Sequence, residues 1–185
     1  MKISCEKRSR ISQGDIYRNV EFIEYFAEKE GKIEVPIITF PLVIVLTQEC
    51  DLFQDYKSRY GRPKKPTQTQ DKYLISVLVS PLYNLEHVLI GEHLSELNLK
   101  MQAINRMATE GKYLIQNKIP RYHYIEFPPR IPIPPSVIDF KHYFSVNVEY
   151  LKKIKKSDFV CRISPLYRED ISQRFASFLS RIGIP

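Results

Sequence analysis

The sequence predicts a single α+β domain, residues 1–185, that is rich in β-strands. The chain has 185 residues, 43% of them are hydrophobic, and the apolar residues fall into strand-length runs. A chain of this size buries about two-thirds of its unfolded surface, so we expect a substantial core. The longest apolar run, residues 41–46, is far shorter than the ~20 residues that a membrane-spanning helix needs. We therefore expect no membrane contact.

Several segments are predicted as strands. Residues 14–17 open the first, and residues 35–46 are the most β-prone segment, apolar without alternation in its second half and hence buried on both faces. Pro36 and Pro41 place its first half at an edge or bulge. Residues 19–34 fit a hairpin turning at Glu30-Gly31, which we favour, or a short helix. The other predicted strands are residues 73–79, ended by Ser80-Pro81, 122–127, 136–144 and 158–163.

Two helices are predicted. The C-terminal helix covers about residues 164–182, with Ser164 as N-cap, Pro165 at the first helical position and an apolar face of Ile171, Phe175, Phe178, Leu179 and Ile182. The second covers about residues 93–108 and lies within an insertion at about 84–130. Its apolar stripe is Leu94, Leu97, Met101, Ile104 and Met107. Five prolines in residues 128–135 predict a stiff, extended connector.

Basic residues are clustered along the chain, whose net charge is +7. The clusters are the first ten residues, residues 152–162 and residues 57–72, which we expect to form an exposed basic loop. They fit either solvated loops or a surface for RNA or another polyanion. The candidate nucleic-acid-binding residues are Lys64, Lys65, Lys152 and Lys153, with Tyr17, Tyr56 and Tyr60 as stacking faces.

The common motifs of nucleotide-binding and hydrolytic enzymes are missing from the sequence. It contains no GxxxxGK[ST], GxGxxG, HExxH or GxSxG pattern, and its three cysteines include no CxxC pair. We therefore expect no metal site and no cofactor. The N-terminus has no apolar core of the kind found in secretory signals, so a cytoplasmic location is expected.

The most unusual polar segment, residues 47–51, directly follows the most buried predicted strand. Glu49 and Asp51 are candidate acid–base or cation-binding residues, and the alternative is that Asp51 caps a turn. Cys50 is a candidate nucleophile, but its two acidic neighbours disfavour the thiolate. We expect Cys50 to be a small buried apolar residue.

Other candidate groups lie in the second half of the chain. Arg162 and Arg168 bracket the start of the last predicted helix, where they form either a phosphate site or a solvated cationic face. His123 and His142 are expected to be interior, hydrogen-bonded residues. Asp139 is a potential acid–base partner of His142, but residues three apart on one strand point to opposite faces.

The order of these segments resembles the MazF/PemK toxin family. The shared features are the Gly14-Asp15-Ile16 opening, the apolar strand at residues 41–46, the strand ending in Ser80-Pro81, the segment 137–146 and the final helix. The resemblance implies an SH3-like barrel and a metal-independent endoribonuclease that cleaves single-stranded RNA, with Arg18 and Ser80 as catalytic residues. Phe40-Pro41 stands where that family has Arg-Pro, so an inactive relative is the other form of this prediction.

The resemblance also implies partners: an antitoxin or another subunit of a defence complex, and a second copy in a homodimer. Two alternative functions are retained. One is a non-enzymatic interaction module of a bacterial defence or toxin–antitoxin complex. The other is a cysteine-dependent hydrolase in which Cys50 acts with His142.

Overall fold

The computed structural model describes residues 3–7, 9–61 and 70–181, which form a mixed α+β fold. The strands are β1 (Ile3–Ser4), β2 (Asp15–Ile23), β3 (Ala27–Lys29), β4 (Lys32–Glu34), β5 (Ile37–Val45), β6 (Ser76–Asn84), β7 (Tyr122–Ile125), β8 (Ser136–Asp139), β9 (Phe144–Asn147) and β10 (Phe159–Ile163). The helices are α1 (Glu49–Tyr60), α2 (Leu85–Ile90), α3 (Thr109–Ile115), α4 (Val148–Asp158) and α5 (Pro165–Leu179). No helix in these ranges has the length and apolarity to cross a membrane.

The main sheet is antiparallel and follows the order β1-β10-β2-β5-β6-β8-β7, with β9 also paired to β6. Strands β3 and β4 form a separate hairpin that turns at Glu30 and Gly31, both at positive φ, which confirms the predicted hairpin. Among the described strands the two ends of the sheet do not pair with each other. The closed barrel implied by the family resemblance is therefore not found in this part of the chain.

Strand β6 is the central strand of the sheet. Its first residues pair with β9, Val79 to Pro81 pair with β5, and its last residues pair with β8. The prediction that this strand ends at Ser80-Pro81 is wrong. Proline lacks an N–H donor, but Pro81 lies where the neighbour on one side of β6 changes from β9 to β8, so the ladder there is already interrupted.

Both faces of the sheet are covered. Ile16 and Ile44 pack on one face with the apolar side of α5, and Tyr17, Val43 and Val45 pack on the other face with α1 and α4. This confirms that the second half of the predicted strand at residues 35–46 is buried on both faces. Its first half has only β2 beside it, as the two prolines predict for an edge.

The helix predictions are confirmed only in part. Helix α5 begins after Ser164, as expected, but residues 93–108 hold only a short 3-10 turn, at Ser95–Leu97. Asn98 has a φ of 57°, which interrupts a helix, and the Met101 N–H bonds to the Gly91 carbonyl at 2.9 Å. Helices α1, α2, α3 and α4 were not predicted. Residues 57–60 of the expected basic loop belong to α1, and residues 62–69 lie outside the described residues.

The strand predicted over residues 136–144 is divided in two. Strand β8 ends at Asp139, a 3-10 turn covers Phe140–His142, and β9 begins at Phe144. The Asp139 carboxylate accepts a hydrogen bond of 3.0 Å from the Lys141 N–H, which stabilises the turn. The turn brings His142 Nδ1 to 3.5 Å from Asp139 Oδ2, so the expectation that these two residues point to opposite faces is wrong.

Candidate functional site

A tight turn directly before β2 positions the groups of the candidate site. The Asp15 N–H bonds to the Ser12 carbonyl at 3.1 Å, and Gly14 has a φ of 76°, which residues with a side chain rarely adopt. A Cβ atom at Gly14 would lie 3.2 Å from the Cβ of Arg168. The turn therefore allows α5 to approach closely and places Arg168 beside Gln13.

Glu49 is the first residue of α1, and three groups from other parts of the chain hold its carboxylate. Arg10 Nη2 lies 2.6 Å from Oε1, while Arg168 Nη1 lies 3.2 Å from Oε2. The backbone N–H of Gln13 donates to Oε2 at 2.9 Å. Two guanidinium groups thus share one carboxylate, and their combined charge exceeds that of Glu49 by one unit.

Glu49 lines an open cleft of about 320 Å³ between the start of α1 and the first turns of α5. Arg10 Nη1 and Arg168 Nε are buried and have no hydrogen-bond partner among the described residues. Of the two arginines, Arg168 lines the cleft, and because a guanidinium can contact more than one acceptor, Arg168 is suited to an additional anion there. We call this the Glu49 cleft; its lining residues are Gln13, Gln48, Glu49, Cys50, Arg168, Glu169, Ser172 and Gln173.

A second ion pair, between Arg162 and Asp15 at the end of the same turn, is buried. Arg162 Nε lies 2.5 Å from Asp15 Oδ1, while the Tyr17 hydroxyl donates to Oδ2 at 3.1 Å. Burial raises the pKa of Asp15, although Arg162 acts in the opposite direction, and burial also raises the pKa of Tyr17. Lys155 donates to the Arg10 carbonyl, and burial lowers the pKa of Lys155 to about 8.

Aromatic side chains continue from the Glu49 cleft along one face of α1. Phe53, Tyr56 and Tyr60 follow Glu49 at spacings of four, seven and eleven residues, which lie on one helix face. The rings of Tyr56 and Tyr60 are 5.4 Å apart, and Lys152 Nζ lies 4.8 Å from the centre of the Tyr60 ring. We call Phe53, Tyr56 and Tyr60 the α1 aromatic stripe. It extends about 16 Å from Glu49 at 1.5 Å per residue.

The structure brings together several residues that the sequence selected separately. Glu49 and Arg168 are in direct contact, and Tyr56, Tyr60 and Lys152 share the surface of α1 and α4. Lys152 is also paired with Asp55 and Glu149. Asp51 and Lys153 are exposed. Lys64 and Lys65 fall outside the described residues.

Three selected residues are buried where no nucleic acid reaches them. Tyr17 and Ser80 are fully buried, and Arg162 is committed to Asp15. The Ser80 hydroxyl contacts only the Asp139 carbonyl, at 3.5 Å, among the described residues. Each of these residues lies on a strand covered on both faces, so the proposed roles in stacking, catalysis and phosphate binding do not fit their positions.

Two other selected residues, Arg18 and Cys50, are exposed. Arg18 is exposed and faces Asp158 at 3.7 Å and the Ser157 carbonyl at 3.4 Å. Cys50 is exposed, contrary to the expectation of burial, and its thiol lies 3.6 Å from Gln48 Oε1. Among the described residues, no contact joins Cys50 to His142.

Sequence reasoning missed Arg10, Gln13 and Phe53. The basic character of the first ten residues pointed to Arg10 as part of a cluster but did not single it out. The helical spacing of Phe53 from Glu49 would have indicated the α1 aromatic stripe if α1 had been recognised. A scan against protein-family models found no match, and neither did a search of curated proteins.

Proposed function

We propose that the protein is a metal-independent endoribonuclease that acts on single-stranded RNA at the Glu49 cleft and is related to the MazF/PemK toxins. The observation that carries the proposal is the position of Glu49, which is held by Arg10 and Arg168 at the head of a helix face bearing aromatic side chains. The relationship to MazF/PemK rests on the order of the Gly14-Asp15 opening, the apolar strand β5 and the final helix α5.

Binding would use two kinds of contact. Arginine donors in the cleft bind a phosphate, since guanidinium groups form strong charge-assisted hydrogen bonds with phosphate oxygens. The α1 aromatic stripe stacks on unpaired bases, each stack contributing roughly 1–3 kcal/mol. Phe53 and Tyr60 are each 48% exposed, so base stacking is sterically open to both. Duplex RNA hides its base faces, which favours single strands as the substrate.

Cleavage would proceed through the ribose 2′-hydroxyl. Glu49 takes the proton of this hydroxyl, and its oxygen attacks the adjacent phosphorus. The bond from phosphorus to the 5′-oxygen breaks, and that oxygen takes a proton from water in the open cleft. The products are a 2′,3′-cyclic phosphate and a 5′-hydroxyl. Arg10 and Arg168 stabilise the charge that develops on the phosphate oxygens.

The test is incubation of the purified chain with labelled single-stranded RNA in the presence of EDTA. Glu49→Gln keeps the size of the side chain and removes the base, so we expect cleavage to fall at least about 100-fold. Asp170→Asn is the matched control, because Asp170 is an exposed carboxylate two residues after Arg168 and contributes nothing to the lining of the cleft. Its cleavage rate should equal that of the wild type.

The outcomes separate the two forms of the proposal. Cleavage by the wild type that is lost in Glu49→Gln supports the ribonuclease. RNA binding without cleavage, weakened by Arg168→Ala, supports the inactive relative. Equal cleavage by the wild type and Glu49→Gln would show that the base lies elsewhere.

A protein-interaction module is the second candidate, and the β3–β4 hairpin favours it. Phe26 and Ile33 are 70% and 74% exposed, and Tyr25 and Ile37 beside them are also exposed. An apolar patch of this kind is typical of an interaction site. We expect a homodimer, measured by light scattering after gel filtration, that becomes monomeric in the double variant Phe26→Ser/Ile33→Ser. Ile75→Ser is the control, since Ile75 is 85% exposed but lies outside the hairpin.

A further inference from the structure

A cluster of nitrogen and oxygen ligands lies away from the Glu49 cleft, between α2, β6 and the end of β8. His93 follows α2, Asp139 ends β8, and His142 ends the 3-10 turn after it. One donor atom from each of these three side chains lies within 4.8 Å of the other two. None of the three lines the Glu49 cleft. The cluster is therefore a separate site, and it involves no residue that the proposed ribonuclease uses.

Neighbouring groups orient the three side chains. Arg121 Nε contacts Asp139 Oδ1 at 2.9 Å, and its Nη2 contacts Oδ2. The Tyr83 hydroxyl lies 3.1 Å from His142 Nδ1, and the Tyr83 ring packs 4.9 Å from that of His93. Outer groups of this kind commonly fix the orientation of metal ligands in proteins.

The unpaired ring nitrogens of His93 are not explained by a purely structural role of the cluster. Both of its ring nitrogens are buried, and among the described residues neither makes a hydrogen bond of good geometry, although the His87 carbonyl lies near the ring. Buried polar atoms in folded proteins nearly always have a partner, because an unsatisfied one costs the full free energy of its desolvation. A metal ion bound between His93 and His142 would provide that partner.

Asp139 already contacts protein donors, and a metal ion would share its carboxylate with them. The Nε–H of Arg121 is shared between Oδ1 and Oδ2, at 2.9 and 3.0 Å, and Nη2 of the same residue also contacts Oδ2. The Lys141 N–H contacts Oδ1 at 3.0 Å. These are three N–H groups, and a carboxylate accepts about four hydrogen bonds. Oδ2 also faces His142 Nδ1 at 3.5 Å, so it is the oxygen that a metal ion between the histidines would contact.

We propose that His93, Asp139 and His142 together bind one divalent transition-metal ion, with Zn²⁺ as the first candidate. Two imidazoles and one carboxylate form a donor set that suits Zn²⁺ and related borderline ions rather than Ca²⁺ or Mg²⁺, which prefer oxygen alone. Three protein ligands leave a fourth position for water or a substrate oxygen, as in catalytic zinc sites.

The test is titration of the EDTA-treated, dialysed chain with ZnCl₂ in a calorimeter. We expect one Zn²⁺ per chain, and binding at least about 10-fold weaker in His93→Phe and His142→Phe, since even outer-shell changes often cost that much. Phenylalanine at position 93 retains an aromatic ring against Tyr83. His87→Phe is the matched control: His87 is exposed, outside the cluster and expected to leave affinity unchanged.

Two further measurements test the metal ligands without relying on a variant and separate the metal site from the ribonuclease. Co²⁺ added to the wild type should give visible d–d absorption without the charge-transfer band of a thiolate ligand, which needs no variant to fold. RNA affinity of His93→Phe should equal that of the wild type, so failure of the metal site and failure of the ribonuclease are distinguishable. Unchanged Zn²⁺ affinity in folded His93→Phe, or a thiolate band with Co²⁺, would overturn the proposal.

Discussion

Asp15 and Glu49 both lie beside the Ser12–Asp15 turn, and each forms an ion pair with arginine. The two pairs differ in how much water reaches them. The Asp15 side chain is fully buried, and its partner Arg162 is 5% exposed. Glu49 is 21% exposed and its partner Arg10 is 18% exposed, at the edge of an open cleft. The same kind of contact is therefore part of the protein interior in one case and part of a surface site in the other.

The difference between these ion pairs indicates where to look for function. A sealed pair cannot exchange its partner for a ligand, and removing one member leaves a charge without water or a counter-ion. An open pair loses less when it is broken, since water screens the remaining charge.

Arg162→Leu is expected to lower the free energy of unfolding by about 3–5 kcal/mol, since it leaves Asp15 buried without a counter-charge. Urea denaturation measures the change. The control is Arg18→Leu. Like Arg162, Arg18 lies on a strand and faces an aspartate, but its side chain is 59% exposed. Its cost should stay within about 0.5 kcal/mol. Equal losses in both variants would contradict the distinction between sealed and open pairs.

His123 should make the fold sensitive to acid. Burial lowers the pKa of His123 to about 3, against an ordinary value near 6.5. The unfolded chain therefore binds a proton as the pH falls below 6.5, while the folded chain resists it until about pH 3. This difference removes about 2 kcal/mol of stability between pH 7 and pH 5.

The comparison for His123 uses melting temperatures at pH 7 and pH 5. His123→Leu should melt at temperatures that depend less on pH than those of the wild type. His87→Leu changes an exposed histidine and should retain the pH dependence of the wild type. A wild type whose stability is the same at both pH values would contradict the prediction.

Lys155 should make the fold more stable as the pH rises into the alkaline range. Its pKa in the folded chain is about 8, whereas its ordinary value is 10.5. Between these values the unfolded chain holds a proton that the folded chain has released, so this group adds stability as the pH rises. Relative to Lys155→Met, the wild type should therefore gain about 2 kcal/mol of stability between pH 7.5 and pH 9.5. Thermal denaturation would show this gain as a rise of several degrees in melting temperature. A constant difference would show that Lys155 is solvated like a surface lysine.

Glu49→Gln should cost about 1 kcal/mol or less, in contrast to the sealed pair. The glutamine side chain retains one of the two oxygens, so it can still accept from Arg10 on one side or from the Gln13 N–H on the other. Urea denaturation of this variant and of Arg162→Leu in one experiment gives the comparison directly. A loss as large as that of Arg162→Leu would place Glu49 among the structural groups.

Cys50→Ser should have the smallest effect, within about 0.5 kcal/mol, since the thiol is exposed. The same variant tests the hydrolase alternative. A nucleophile would lose turnover at an unchanged melting temperature, and retained RNA cleavage in Cys50→Ser would exclude a catalytic role for the thiol in that reaction.

The strands were more predictable than the helices, for a physical reason. Strand β5 is apolar on both faces, and α5 has a complete apolar side with a proline at its start. In both elements the pattern of apolar residues therefore predicts which side chains are buried. Helix α1 buries only Leu52 and Asp55 among its twelve residues. Helix α4 buries Lys155, and a basic segment of this kind resembles an exposed loop.

The false helix at residues 93–108 shows the opposite error. Its apolar residues have helical spacing, but Ile104 bonds to the Leu89 carbonyl at 2.7 Å, and Met107 is 75% exposed. The segment packs as an irregular loop against α2. Spacing alone did not reveal that its backbone bonds go to another element.

The candidate site was predictable only in its separate parts. Glu49 was selected because polar residues follow a buried strand, and Arg168 because it lies near a helix start. Nothing in the sequence showed that the Ser12–Asp15 turn would bring them together with Arg10. The His142 and Asp139 pair was rejected because a continuous strand was assumed, whereas a capped turn reverses the direction of the chain there.

The cleft draws its charged groups from widely separated stretches of the chain, and this has a consequence for biosynthesis. Arg10 and Glu49 leave the ribosome early, but Arg168 is made only after β10, the strand that pairs with β2 and with Ile3 near the start of the chain. Long-range antiparallel pairing of this kind forms late because loop closure must come first. A nascent chain that has emerged only as far as α4 therefore holds Glu49 without one of its two arginines. If the cleft cleaves RNA, a nascent chain is therefore inactive until α5 has been made and β10 has paired with β2.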